Sequence, residues 1–178
     1  MKSNWDRLLN VFLISLVFIL FAGIETTLWP YILGTIPSPM FWLCVIIYTT
    51  LYRRMTVGIG FIYVFSLLLL GFSLMPLKMI LIPLALLFIV LNSFKGRVFW
   101  SGPSYFVLVS SAASFFYHII YIAVSYWLER NPATIEWESR LLTLLFTPLV
   151  TYPIYLIINT IDRWTHSEHL AESGGFEL

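Results

Sequence analysis

Three ionisable side chains lie within or at the ends of long apolar runs, where an unpaired charge is costly. They are Glu25, Lys78 and His118. A charged group at the centre of a bilayer costs at least about 2.5 kcal/mol, so each is a candidate for binding or proton transfer. Glu25 either marks the exit of a helix into the headgroups or binds a cation. Lys78 either extends its ammonium to the interface or forms an ion pair with Glu25.

His118 lies near the middle of the fifth apolar run, close to Tyr117 and Tyr121. A buried histidine can relay protons, bind a ligand, or be a core residue held by a neighbouring hydroxyl or carbonyl. The sequence offers no carboxylate at the same depth, which favours the core interpretation over a relay. His166 and His169 stand three apart in the polar tail, without the third and fourth ligands of a metal site. We therefore expect no metal and no cofactor.

Two pairs of small residues could let helices approach closely. Gly58 and Gly60 open the third apolar run, and Ser110 and Ser114 lie one helical turn apart in the fifth. Such small residues allow close packing of helices in membranes, so all four are candidate contacts within the chain or with a partner. The serines have no base that spacing assigns to them, and the sequence shows no nucleophile–base constellation. We therefore expect a protein that is not an enzyme.

The composition of the chain indicates a membrane protein. Of 178 residues, 60% are hydrophobic and 11% are charged, and the mean hydropathy is +0.88. In soluble proteins roughly a quarter of the residues are charged. The polar remainder is too short for a soluble domain of about 50 residues or more. A net charge of +1 argues against nucleic acid as a partner, because nucleic acid requires a clustered basic face. We expect the chain to lie in the lipid bilayer and to contact its lipids.

The apolar runs predict an all-α polytopic membrane protein with six transmembrane helices. They cover residues 8–24, 39–52, 55–72, 74–91, 104–128 and 141–161. The second run is short, because its residues at about 1.5 Å each reach about 21 Å of a hydrocarbon core about 30 Å thick. A re-entrant hairpin is the alternative there. Residues 25–38 are predicted to be a loop, residues 1–161 the transmembrane domain, and residues 162–178 a mobile cytoplasmic tail.

Basic residues in the short loops predict the orientation, because lysine and arginine are retained on the cytoplasmic side. With the first end inside, the inner segments contain Lys2, Arg7, Arg53, Arg54, Lys95, Arg97 and Arg163, and the outer ones contain Arg130 and Arg140. This bias predicts that both termini are cytoplasmic. It also favours a true crossing by the second run, since a hairpin would move Arg53 and Arg54 outside.

The stretch from Tyr48 to Gly71 carries a family resemblance. A run that ends at Tyr48, a short basic turn, and Val57-Gly58-Ile59-Gly60-Phe61 at the start of the next run resemble one region of the bacterial rod shape-determining MreD family. That region is the second-to-third span of the family. Three further features are similar: Pro39 opening the second run, a basic turn from Lys95 to Arg97, and Tyr152-Pro153 in the last run.

The resemblance implies a non-enzymatic component of the cell-elongation machinery in the bacterial inner (cytoplasmic) membrane. The implied partners are the single-span protein MreC and, indirectly, MreB filaments and the glycosyltransferase and transpeptidase pair that builds peptidoglycan. It further implies an architecture similar to the S-components of energy-coupling factor vitamin importers. One departure lies at residues 64–69, Val-Phe-Ser-Leu-Leu-Leu, where family members commonly carry a glycine and then an aspartate.

A substrate-binding subunit of a vitamin or small-solute importer is the alternative function, since a fold alone does not fix a function. Such a subunit requires a cavity lined by polar and aromatic groups near the outer face. Glu25, Trp29, Lys78 and His118 could contribute to it. Retention of a small ligand through purification would favour this alternative.

Overall fold

The computed structural model describes residues 4–95, 102–132 and 136–165, and within these ranges every regular element is a helix. The elements in chain order are α1 (Asn4–Gly23), a π-helical turn (Ile24–Leu28), α2 (Trp29–Leu33), α3 (Phe41–Tyr52), α4 (Met55–Leu69), α5 (Leu77–Lys95), α6 (Pro103–Leu128) and α7 (Trp137–Trp164). The predicted all-α class is confirmed.

Four helical segments are long and apolar enough to cross a bilayer. They are Leu8–Leu33, Leu77–Lys95, Pro103–Leu128 and Trp137–Trp164. The helices α3 and α4 are also apolar but have only 12 and 15 residues. The structure therefore supports a membrane protein with four candidate spans, and crossings by α3 and α4 stay a prediction.

The first helix is longer than the sequence predicts. The predicted loop over residues 25–38 is wrong for its first part, because helix continues to Leu33 and ends at Gly34, whose φ is 62°. The π-helical turn explains how the helix passes Pro30. The N–H of Trp29 bonds the carbonyl of Ile24, five residues back, so the turn is widened immediately before the proline. A regular turn there would bring the proline ring against a carbonyl.

The short helix α3 is the centre of the fold. Ten of its 12 residues are buried, and it contacts α1, α4, α5, α6 and α7. Because α3 is apolar on nearly all sides, none of its faces requires contact with water, and burial among other helices is compatible with its sequence. The hydroxyls of Thr49 and Thr50 donate to the carbonyl of Ile46 at 2.9 and 2.8 Å. The two polar residues are thus compatible with a buried helix.

The helices define two ends of the bundle. At the first, the Arg53 end, α1 begins near the last turns of α3 and α7, because Asn10 of α1 contacts both Arg53 and Asp162. At the second, the Glu25 end, α5 begins where α6 ends, since Lys78 contacts the carbonyl of Leu128. The helix α7 continues to Trp164, so Asp162 belongs to the helix and not to the predicted tail. Residues 166–178 of that tail, with His166 and His169, lie outside the described residues.

Candidate functional site

Five buried polar side chains form a network at the Arg53 end, which we call the Arg53–Asp162 network. Its members are Asn10, Tyr48, Arg53, Asp162 and Thr165. The guanidinium of Arg53 forms an ion pair with Asp162 and donates to Oδ1 of Asn10 at 2.9 Å. Asp162 also accepts from Nδ2 of Asn10 and the hydroxyl of Tyr48, each at 2.8 Å. The network joins α1, α3 and the end of α7.

Helix periodicity places Asp162 in this position. The buried residues of α7 recur every three or four positions and thus form one face; they are Thr143, Thr147, Thr151, Ile154, Ile158 and Asp162. Arg53 follows the last residue of α3 in an extended conformation. The relative exposure of Arg53 is 7% and that of Asp162 is 0%, so the ion pair is enclosed by protein.

Lys95 adds a second cation at the end of α3. Its Nζ donates to the carbonyl of Thr50 at 3.0 Å and also to that of Arg53. The last carbonyls of a helix have no partner inside the helix, and the helix dipole makes that end negative. Lys95 therefore satisfies the C-terminus of α3 and connects the end of α5 to it.

Four aromatic rings pack beside the network. They belong to Tyr48, Tyr52, Phe106 and Tyr155, with ring centroids 4.7 to 6.2 Å apart. Aromatic side chains combine large apolar faces with, in tyrosine, a polar group. The cluster adjoins the ion pair through Tyr48, whose hydroxyl bonds the carboxylate of Asp162 directly.

A cavity of about 540 Å³ lies at the opposite, Glu25 end. It is lined by Glu25, Thr26, Met40, Trp42, Leu69, Phe72, Ser73, Met75, Ile80, Tyr117, His118, Tyr121, Glu136, Ser139 and Arg140. The shortness of α3 explains why there is space. The N–H of Met40, just before α3, donates to the hydroxyl of Thr147 at 3.2 Å. Thr147 lies ten residues inside α7, so about 15 Å of α7 extends beyond the start of α3.

Glu25 reaches the cavity wall from the π-helical turn. Its Oε1 accepts from the indole N–H of Trp42 at 2.9 Å. Trp42 belongs to the first turn of α3, so the carboxyl group lies beside the N-terminus of that helix. A negative charge is favourable at a helix N-terminus. The other oxygen, Oε2, is buried and forms no hydrogen bond within the described part of the chain.

His118 lines the same cavity from α6. Its Nδ1 lies 3.2 Å from the carbonyl of Ser114. A carbonyl oxygen only accepts, so Nδ1 carries the hydrogen and the neutral ring presents Nε2 as an acceptor. The ring is 7% exposed, which agrees with a histidine held by a backbone carbonyl and leaves a ligand-binding role open.

Aromatic rings form much of the remaining wall. Trp42 and Tyr117 are edge to face with centroids 5.5 Å apart, and Tyr117 and Tyr121 are stacked at 6.3 Å. The guanidinium carbon of Arg140 lies 5.9 Å from the centroid of Tyr121. The cavity thus combines aromatic faces with a small number of charged and polar groups, as binding sites for small molecules do.

Lys78 does not join Glu25. Its Nζ donates to the carbonyl of Leu128 at 3.3 Å, and its side chain is exposed. Glu25 instead bonds Trp42. Trp29 donates its indole N–H to the carbonyl of Ile36 at 2.9 Å, and neither Trp29 nor Lys78 is among the described residues that line the cavity. Of the four residues considered for a ligand site, the structure brings together Glu25 and His118.

The four small residues have different surroundings. A Cβ on Gly58 would lie 2.9 Å from Cε2 of Phe88, so this glycine accommodates α5 within the chain. A Cβ on Gly60 would meet no described atom within 4 Å. Ser110 and Ser114 are both fully buried, and the hydroxyl of Ser114 donates to the carbonyl of Ser110 at 2.8 Å. Gly60 is therefore the candidate of the four that faces outward.

Comparison of the chain with protein-family models, with curated proteins and with solved structures gives no match. Within residues 4–95, 102–132 and 136–165, no three His, Cys, Asp or Glu side chains are grouped as metal ligands.

Proposed function

We propose that the protein is an integral membrane component of the bacterial cell-elongation machinery, similar to the MreD family. One observation supports this proposal above others. Three of the residues that carry the resemblance meet at the Arg53 end: Tyr48, Arg53 of the basic turn, and Lys95, which ends α5 42 positions after Arg53. Gly58, a fourth, packs α4 against Phe88 of α5. A pattern of weak motifs that forms one connected unit is stronger support than each motif alone.

The proposed arrangement has six spans, with α3 and α4 as short crossings, in an architecture similar to that of energy-coupling factor S-components. The positive-inside rule orients it. Arg53, Lys95 and Arg163 all lie at the ends of helices that finish at the Arg53 end. We place this end, and both termini, in the cytoplasm, and the Glu25 end at the outer face of the inner membrane.

The partner surface that we propose is the outward face of α4 around Gly60. Val57, Ile59, Tyr63 and Val64 around it are all 42% to 56% exposed. A glycine among larger side chains leaves a depression in which a partner helix packs closely. The occupant that fits the proposed role is the single membrane span of an MreC-like protein, which connects the complex indirectly to MreB filaments and to the wall-synthesising glycosyltransferase and transpeptidase pair.

Depletion from the native cells tests the proposal, with cell width followed by microscopy as the protein is lost. Cells that round or swell before growth stops are expected, and cells that stay normal rods would refute the elongation role.

Variants expressed in the depleted cells then test the proposed partner surface around Gly60. Gly60→Leu is expected to insert normally but lose co-purification of the partner, whereas Ala123→Leu, at an exposed position of α6, serves as the matched control. Partner retention by Gly60→Leu would refute the proposed surface only.

The second candidate function is the binding subunit of a small-solute importer. The cavity of about 540 Å³, with Glu25, His118 and aromatic rings on its wall, is the observation that favours it. Depletion distinguishes the two candidates. Normal rods with a new nutrient requirement would support the solute-binding subunit, and rounded cells would support the elongation machinery.

A further inference from the structure

The polar part of the Glu25 cavity offers more acceptors than donors. Oε2 of Glu25 is buried and accepts no hydrogen bond from a described residue. Nδ1 of His118 donates to the carbonyl of Ser114, so Nε2 of His118 is an acceptor. His118 also lines the cavity. Leaving the buried Oε2 unpaired is unfavourable. A bound molecule that donates an N–H group would satisfy it.

The charges of the wall favour a cation over an anion. Its lining includes the two carboxylates of Glu25 and Glu136 and one guanidinium, that of Arg140. The guanidinium of Arg140 makes a cation–π contact with the ring of Tyr121. With His118 as a neutral ring, no cationic side chain bonds Glu25 within the described residues. An ammonium group would supply such a partner, whereas an anionic ligand would meet two acidic side chains.

The aromatic faces fit the same class of ligand. Trp42, Tyr117, Tyr121 and Phe72 line the cavity, and rings of this kind attract ammonium groups as well as apolar bodies. The volume of about 540 Å³ falls in the range of small-molecule sites, about 300–1,000 Å³.

We propose that the Glu25 cavity binds a small organic cation, a protonated primary amine on an aromatic or apolar body. The ammonium donates to Oε2 of Glu25 and lies within reach of His118, and the apolar body packs against Trp42 and Tyr117. The site is additional to the elongation role proposed above. For the solute-binding candidate it names the substrate class, and in that case it rests on that candidate function.

An ammonium group at this end of the bundle has two sources, a free amine from outside or the headgroup of phosphatidylethanolamine. Both present the same chemistry to Glu25. The two are separated by using protein in dodecyl maltoside, a detergent without amines. Titration with 2-phenylethylammonium measures the free amine. Repeating the titration in mixed micelles with phosphatidylethanolamine, and with phosphatidylglycerol as the amine-free lipid, measures competition by the headgroup.

Isothermal titration calorimetry of the purified full chain tests the proposal with three probes of similar size. These are 2-phenylethylammonium, the neutral 2-phenylethanol and the anionic 3-phenylpropanoate. We expect the ammonium to bind at least about tenfold more tightly than either analogue, the ratio that corresponds to about 1.4 kcal/mol. Equal binding of the alcohol, or tighter binding of the carboxylate, would overturn the proposal, and so would absence of ammonium binding in all three micelle types.

Variants connect the binding to the residues. Glu25→Gln keeps an oxygen for the indole of Trp42 and removes the charge, so binding of the ammonium should weaken at least about tenfold, again about 1.4 kcal/mol. Glu138→Gln, an exposed carboxylate of α7 outside the cavity lining, is the matched control and should bind as the parent protein does. Tyr117→Leu removes one of the two aromatic faces that contact the apolar body, so it should weaken binding of the ammonium without removing the Glu25 carboxyl group.

Circular dichroism and thermal unfolding of each variant show whether it is folded. If folded Glu25→Gln binds the ammonium as tightly as Glu138→Gln, the site is refuted. The cell-shape experiment does not depend on this result. A cavity that rejects amines leaves the elongation role untouched, and normal rods leave amine binding untouched.

Discussion

Removal of the negative charge from Asp162 should destabilise the protein strongly. Asp162→Asn keeps the shape of the side chain but leaves the guanidinium of Arg53 buried without its counter-ion. Loss of one member of a buried ion pair costs about 3–5 kcal/mol. Asp162 also accepts from Asn10 and Tyr48, so two more hydrogen bonds are rearranged in the same variant. We expect a loss of about 3–5 kcal/mol in the free energy of unfolding.

A double-mutant cycle separates the ion pair from other effects of substitution. Arg53→Met alone should also destabilise, because it leaves the carboxylate of Asp162 buried. The double variant, Arg53→Met with Asp162→Asn, removes both charges, so neither charged partner is left buried alone. It should lose less than the sum of the two single variants by about 2 kcal/mol, within the range of coupling between contacting residues.

The assay is reversible unfolding in mixed micelles with increasing dodecyl sulfate, followed by circular dichroism. Arg130→Met is the matched control, since Arg130 is an exposed arginine outside the Arg53–Asp162 network. Its change in unfolding free energy should stay within about 0.5 kcal/mol. Two results would refute the reasoning: a similarly small effect of Asp162→Asn, or additivity of the single variants in the cycle.

Three further predictions use the same assay. Gly58→Leu should destabilise by about 1–3 kcal/mol because its side chain would collide with Phe88, and a stability equal to the parent would mean that α4 and α5 separate freely. Lys95→Met should cost about 1–3 kcal/mol by leaving carbonyls at the end of α3 without a donor; an unchanged midpoint would contradict this role. Tyr48→Phe should cost about 1–2 kcal/mol for its bond to Asp162, and no loss would indicate that the phenol is dispensable.

Searching apolar runs for ionisable residues identified two members of the cavity, Glu25 and His118. Such a search works because a charged group in a bilayer is rare and costly. It did not pair them correctly. Glu25 and Lys78 are both near the Glu25 end, but depth alone does not tell which helix faces lie together. Trp42, whose indole bonds Glu25 in the structure, lies in the apolar sequence of α3, and nothing in that sequence marks it as a partner of Glu25.

The Arg53–Asp162 network was not predicted, for a related reason. In the sequence, Arg53 indicated only the orientation in the membrane, and Asp162 was predicted to be the first residue of the tail. The two residues are 109 positions apart, and no local periodicity connects them. One signal was present. Thr147, Thr151, Ile158 and Asp162 recur at helical spacing, which indicates one inward face that continues past the predicted end of the last helix.

The shortness of α3 has an electrical consequence in the proposed six-span arrangement. A cavity of about 540 Å³ has room for about 18 water molecules at about 30 Å³ each. Wetted in this way, the Glu25 end brings the outer solution down to the first turn of α3, and the insulating path that is left is the length of α3, about 18 Å. Across an ordinary core of about 30 Å the same membrane potential is spread over a longer distance. The voltage gradient along α3 is then about 1.7 times steeper than in the surrounding bilayer.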